Sequence, residues 1–167
     1  MKTTVYKPHK SSLGLDANLL AMLIYVAPIV LALIPGINFV AWVIPIVILV
    51  LEKNSKLVKF HAATSIILMI LSFVVSIILL IFALIAGSMT SIASIVIMMS
   101  EGYGLGGFFA FFGIILIYAL LVIILIIYLA VTAFRYKQVE LPLIGQLAAK
   151  LSGSSDKTAS RKTTKKK

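Results

Sequence analysis

Cysteine is absent from all 167 residues. Disulfides, thiolate metal sites and a nucleophilic thiol are therefore excluded together, and cysteine usage says nothing about redox compartment. Acid is scarce as well, with five Asp and Glu against fifteen Lys and Arg. Basic residues are missing from most of the chain: all fifteen fall before Leu13, between Glu52 and Phe60, or after Phe134. The tracts between are apolar, giving 62% hydrophobic residues and a mean hydropathy of +1.17, where a soluble domain carries roughly 45–50% apolar residues. A net charge of +10 would suggest nucleic acid in a soluble protein. Beside apolar tracts it is explained first by membrane orientation and attraction to anionic lipid, which makes nucleic acid an unlikely partner.

The tracts predict an all-α, polytopic membrane protein. A bilayer core of about 30 Å needs roughly 20 apolar residues of helix. Leu19 to Leu51 would be about 50 Å long as one helix, too long for one crossing. Pro35 and Gly36 break it into spans 19–34 and 37–51, a short hairpin. Spans 62–86 and 108–134 complete a four-helix bundle. Four crossings put the N-terminal lysines, the Lys53–Lys59 loop and the C-terminal lysines on one side, which the positive-inside rule makes cytoplasmic. Residues 1–16 then form a basic tail, 17–151 the membrane domain and 152–167 a Lys-rich tail disordered by composition. A cleaved signal peptide is the weaker reading of the first tract, since no small-residue cleavage pattern follows it. Asp16 is placed to cap the first helix, and residues 141–151 read as an amphipathic segment.

Small residues line one face of the third span at Ser65, Ser72, Ser76, Ala83 and Gly87, and Gly106, Ala110 and Gly113 begin a matching edge on the fourth. Such stripes let helices approach closely in lipid, within one bundle or with a partner protein. Ser76→Leu is expected to crowd that contact. Pro28 and Pro45 lie inside the hairpin helices, and Tyr25, Trp42, Tyr118 and Tyr128 read as packing or interfacial residues. No span carries an ionisable residue away from its ends, which argues against a proton pump or ion-coupled transporter. A bundle of four helices fills its own interior, so conduction would need several copies.

The sharper motifs have weak context. Gly102, Gly104 and Gly107 have dinucleotide-loop spacing without the strand that gives it meaning. Ser91 to Met99 could be a re-entrant helix leading to an ion filter, but the residues ahead of the glycines do not fit one. His61, near Glu52 and Lys59, has no second ligand at helical spacing and reads as an interfacial hydrogen-bonding residue. Lys162, Lys165, Lys166 and Lys167 point to anionic headgroups. No catalytic constellation, zinc spacing or cofactor motif is present, so no cofactor and no enzymatic activity are expected.

Three stretches, GLDANLLAML before the first span, LEKNSKLVKFHAATSI between the second and third, and YKQVELPLIGQLAAKL after the fourth, resemble the small four-span proteins related to the twenty-kilodalton component of the chloroplast inner-envelope import translocon. The loop with Glu52, Lys53, Lys59, Phe60 and His61 is the most specific part. The resemblance implies an integral four-helix protein with an accessory role in protein translocation or membrane-complex assembly, in contact with itself or another complex in the plasma or inner membrane. A small oligomeric channel is the alternative.

Overall fold

The computed structural model describes residues 2–37, 40–88, 96–97, 99–100, 103–142 and 144–153. In chain order the elements are β1 (Lys2–Val5), α1 (Ala17–Ala32), α2 (Val40–Leu51), α3 (Lys56–Ser88), α4 (Tyr103–Phe134), β2 (Lys137–Glu140) and α5 (Ile144–Leu151). The fold is thus mostly helical, as expected, but not all-α: β1 pairs antiparallel with β2, Lys2 opposite Glu140 and Val5 opposite Lys137.

Length separates the helices into two kinds. α3 and α4 have 33 and 32 residues, about 50 Å each at 1.5 Å per residue, and both are long and apolar enough to cross a bilayer. α1 and α2 have 16 and 12 residues, about 24 and 18 Å. Two of the four expected spans thus have the length of a full crossing, and the other two are short, as expected of the hairpin. The expected hairpin is present, since α1 packs on α2 and the turn after α1 carries Gly36 at φ 88°, a left-handed conformation that glycine adopts without strain. Pro28 and Pro45 sit inside their helices. Asp16 occupies the N-cap position of α1, yet its side chain makes no capping bond; the Ala17 amide donates instead to the His9 carbonyl, 3.0 Å away.

The chain divides into two compact units, residues 1–69 with 127–167, and residues 70–126. The first has a buried core that includes Leu20, Ala21, Ile24, Leu57, Phe60, Leu129 and Ala133. Alanines at positions 17, 21, 62, 63, 130, 133, 148 and 149 recur in that core, where small side chains let backbones approach. Within it α5 lies against the start of α3, Ala148 and Ala149 clustering with Phe60 and Ala63. Gly145 is required there: a Cβ at that position would fall 2.6 Å from the Glu140 Cα. In the second unit no described side chain is buried.

A hydrogen-bonded polar cap and an apolar groove

The first unit gathers the polar residues that the sequence scatters. α2 ends one residue before Glu52, which is 1% exposed. Its carboxylate accepts from the Ser12 amide at 3.0 and 3.1 Å, from the Ser12 hydroxyl at 2.8 Å, and from the amides of Asn54 and Ser55 at 3.0 and 2.8 Å. Burial alone would push this carboxyl up, but the bonds from Ser55, Ser12 and Asn54 outweigh it and hold its pKa below the usual value of 4.5. The Ser12 hydroxyl in turn accepts from the Lys53 and Asn54 amides. Ser55 caps α3 by accepting from the Val58 amide at 3.3 Å, and its hydroxyl lies 2.8 Å from His9 Nε2. One carboxylate therefore closes α2, opens α3 and ties both to the N-terminal arm.

His61 makes a second tie. It is fully buried, with Nε2 3.1 Å from the Lys137 carbonyl and Nδ1 3.0 Å from the Tyr25 hydroxyl. A carbonyl only accepts, so Nε2 carries a proton, and the Tyr25 hydroxyl lies within bonding distance of both Nδ1 and the His61 carbonyl, the latter at 3.3 Å. The ring also packs edge-on against Tyr25 and Phe60. This joins α1, α3 and β2. The Tyr6 hydroxyl donates to Gln138 at 2.7 Å, and the Asn18 side chain donates to the Phe134 carbonyl at the end of α4. The start of α1, the end of α2, the start of α3 and the end of α4 thus meet in one polar layer with the β1–β2 pair.

Of the loop residues singled out in the sequence, Glu52, Phe60 and His61 are buried, Lys59 is half-buried and Lys53 is exposed. His9, Ser12, Ser55 and Tyr25, which complete the network, carry no sequence signal tying them to Glu52 or His61. Lys162, Lys165, Lys166 and Lys167 lie outside the described residues, as do Gly102 and most of Ser91 to Met99. Among the described residues no three His, Asp or Glu side chains cluster as metal ligands would.

The small-residue stripe splits. Ser65 is buried in the first unit, while Ser72, Ser76 and Ala83 line an apolar groove of about 590 Å³ in the second. The facing wall on α4 is built from larger residues, Phe111, Ile115, Tyr118 and Val122 among them, with Ala119. Phe82 stacks on Phe111 with centroids 6.4 Å apart. Gly113 is half-buried and Ala110 exposed, and neither lines the groove; Gly87 and Gly106 fall within α3 and α4. The Ser76 hydroxyl donates to the Ser72 carbonyl of its own helix at 2.8 Å.

The model of MamF/MmsF, the magnetosome magnetite crystal formation protein family, matches residues 16–148, and the chain belongs to that family. This overturns the resemblance to chloroplast import components. The stretches that carried it are short polar joints between apolar helices, and the structure shows such joints filled by capping groups, a core aromatic and flanking lysines. Those needs are general to helical membrane proteins and do not mark one family. No curated protein and no solved structure matches the chain.

Proposed function

We propose that this MamF/MmsF-family chain is a non-enzymatic protein of the magnetosome membrane that acts in magnetite crystal formation through its membrane fold, not by collecting iron itself. The observation that carries the reading is the family match across residues 16–148. Two features favour action through the membrane. α3 and α4 expose apolar surface along their crossing segments, 0% and 11% of which is buried, as lipid-facing helices do. The best-placed carboxylate, Glu52, is meanwhile fully occupied by hydrogen bonds within the cap. Contact with further copies or with another membrane protein is the means we assign to it.

The topology that fits is four-pass with both ends cytoplasmic, α1 and α2 forming a short hairpin that leaves and re-enters the cap. The cap supports an even number of crossings because β1 and β2 pair across it. The absence of native cysteine permits single-cysteine labelling: Thr3→Cys and Lys53→Cys should react from the cytoplasmic side, and Ile37→Cys from the opposite side. Protection of Ile37→Cys from both sides would leave two full crossings and a hairpin that stops within the bilayer. The functional test is deletion in a magnetite-forming host with electron microscopy of the crystals. Altered crystal size, shape or number is expected, and crystals indistinguishable from wild type would end the reading.

A further inference from the structure

The cap leaves its cations unpaired. Lys7, Lys10, Lys53, Lys56, Arg135 and Lys150 are exposed, and none makes an ion pair or a side-chain hydrogen bond among the described residues. They come from four separated segments, and the structure ties these together without using the cations: β1 on β2, Ser12 on the Glu52–Ser55 turn, and His61 on Lys137. The acid available to balance them is small. Glu52 is buried and already satisfied, which leaves Asp16 and Glu140 among the described residues.

One of these charges, and the half-buried Lys59 near it, are placed against local preference. Lys56 and Lys59 occupy the first turn of α3, which has no acidic residue, although a helix N-terminus disfavours cations by about 0.3–1 kcal/mol each. The buried Glu52 carboxylate at the start of α3 offsets this helix end, and an anionic surface outside the chain would favour the two lysines further. α5 shows what kind of surface that is. It buries Gly145, Ala148 and Ala149 inward, while Leu147 and Leu151 are 51% and 60% exposed one turn apart with Lys150 beside them. Leucines at the acyl boundary with a lysine at the phosphates is how an interfacial helix sits on a membrane. The cap's remaining exposed apolar residues, Val5, Leu13 and Leu15, suit the same surface and would be costly in water.

We infer that the folded cap is a binding surface for anionic phospholipids of the leaflet in which the protein sits, with Lys53, Lys56, Arg135 and Lys150 engaging the headgroup phosphates. It rests on the membrane reading above. The inference separates the cap from the Lys-rich segment after Gly153, which carries charge but not the leucine-bearing helix.

The test titrates the full chain in detergent micelles with phosphatidylglycerol and phosphatidylcholine, counting bound lipid by native mass spectrometry. Phosphatidylglycerol should be preferred, and a chain ending at Gly153 should keep the preference. K53Q/K56Q/R135Q should weaken it by up to about a hundredfold, taking about 1 kcal/mol per basic residue near an anionic surface, while K53R/K56R/R135K should restore it. Salt should weaken the preference as well. Equal binding of both lipids, loss of the preference on removing the tail alone, or tighter binding of a short RNA than of phosphatidylglycerol would each overturn the inference. Release of the native chain from membranes by alkaline carbonate would instead remove the membrane reading, and this inference with it.

Discussion

The two units of this protein are stabilised by different means. Residues 1–69 and 127–167 hold buried helix starts and ends, a buried carboxylate, a buried histidine and a two-stranded sheet. The parts of α3 and α4 within residues 70–126 are apolar helix with no buried side chain among those described, an aromatic stack and an open groove. In water the second would be untenable. In a bilayer its backbone is satisfied within each helix and its side chains meet lipid, so internal packing is optional. The comparison teaches that polar specificity is concentrated where helix ends gather, because there unsatisfied backbone groups must find partners.

If that contrast is right, the largest loss comes from Glu52→Ala, which strips the acceptor from amides of Ser12, Asn54 and Ser55. With hydrogen bonds to a charged group contributing about 1.5–3 kcal/mol each, a loss of at least about 3 kcal/mol is expected in denaturant unfolding of the micelle-bound protein. The same carboxylate sets a pH dependence. Its folded pKa is below its unfolded value, so its contribution is present above the usual 4.5 and is lost as pH falls through the folded pKa. Glu52→Gln should flatten that acid limb, and an unchanged limb would transfer the effect to another group.

A smaller loss should follow Gly145→Ala. The added methyl would meet Glu140 backbone, not a yielding side-chain end, and overpacking of this sort costs about 1–3 kcal/mol. Native stability in this variant would mean that α5 shifts freely and is no part of the cap. Least affected should be Ser76→Leu. Packing logic from the sequence expected crowding there, but Ser76 is exposed on the groove wall and its hydroxyl bonds only within its own helix. A change within about 0.5 kcal/mol is expected. A loss as large as that of Glu52→Ala would show that the groove is closed by tight contact and would erase the contrast between the units.

Helices were legible in the sequence because long charge-free apolar runs in a small chain have one stable use, and because Pro35 and Gly36 punctuate the first of them. The loop from Glu52 to His61 stood out for the same reason, as polar residues between apolar runs. The partners of those residues were not legible. Ser12 and Tyr25 are ordinary in composition, and each meets Glu52 or His61 only through the fold. β1 had a faint signal in the β-branched run Thr3, Thr4, Val5; β2, four residues long, had none beyond one valine. The family assignment failed on short joints whose composition many membrane proteins share.

By itself the sequence determined the apolar character of this protein's long segments and its mostly helical class, because transfer of apolar side chains into lipid is an additive property of composition and order. Tertiary structure alone decided that the two ends of the chain pair as β1 and β2, that Glu52 and His61 are spent on holding the cap, and that four cation-bearing segments are tied into it. Those outcomes depend on which buried donor finds which acceptor, and such pairing is fixed by distance in space, not by separation along the chain.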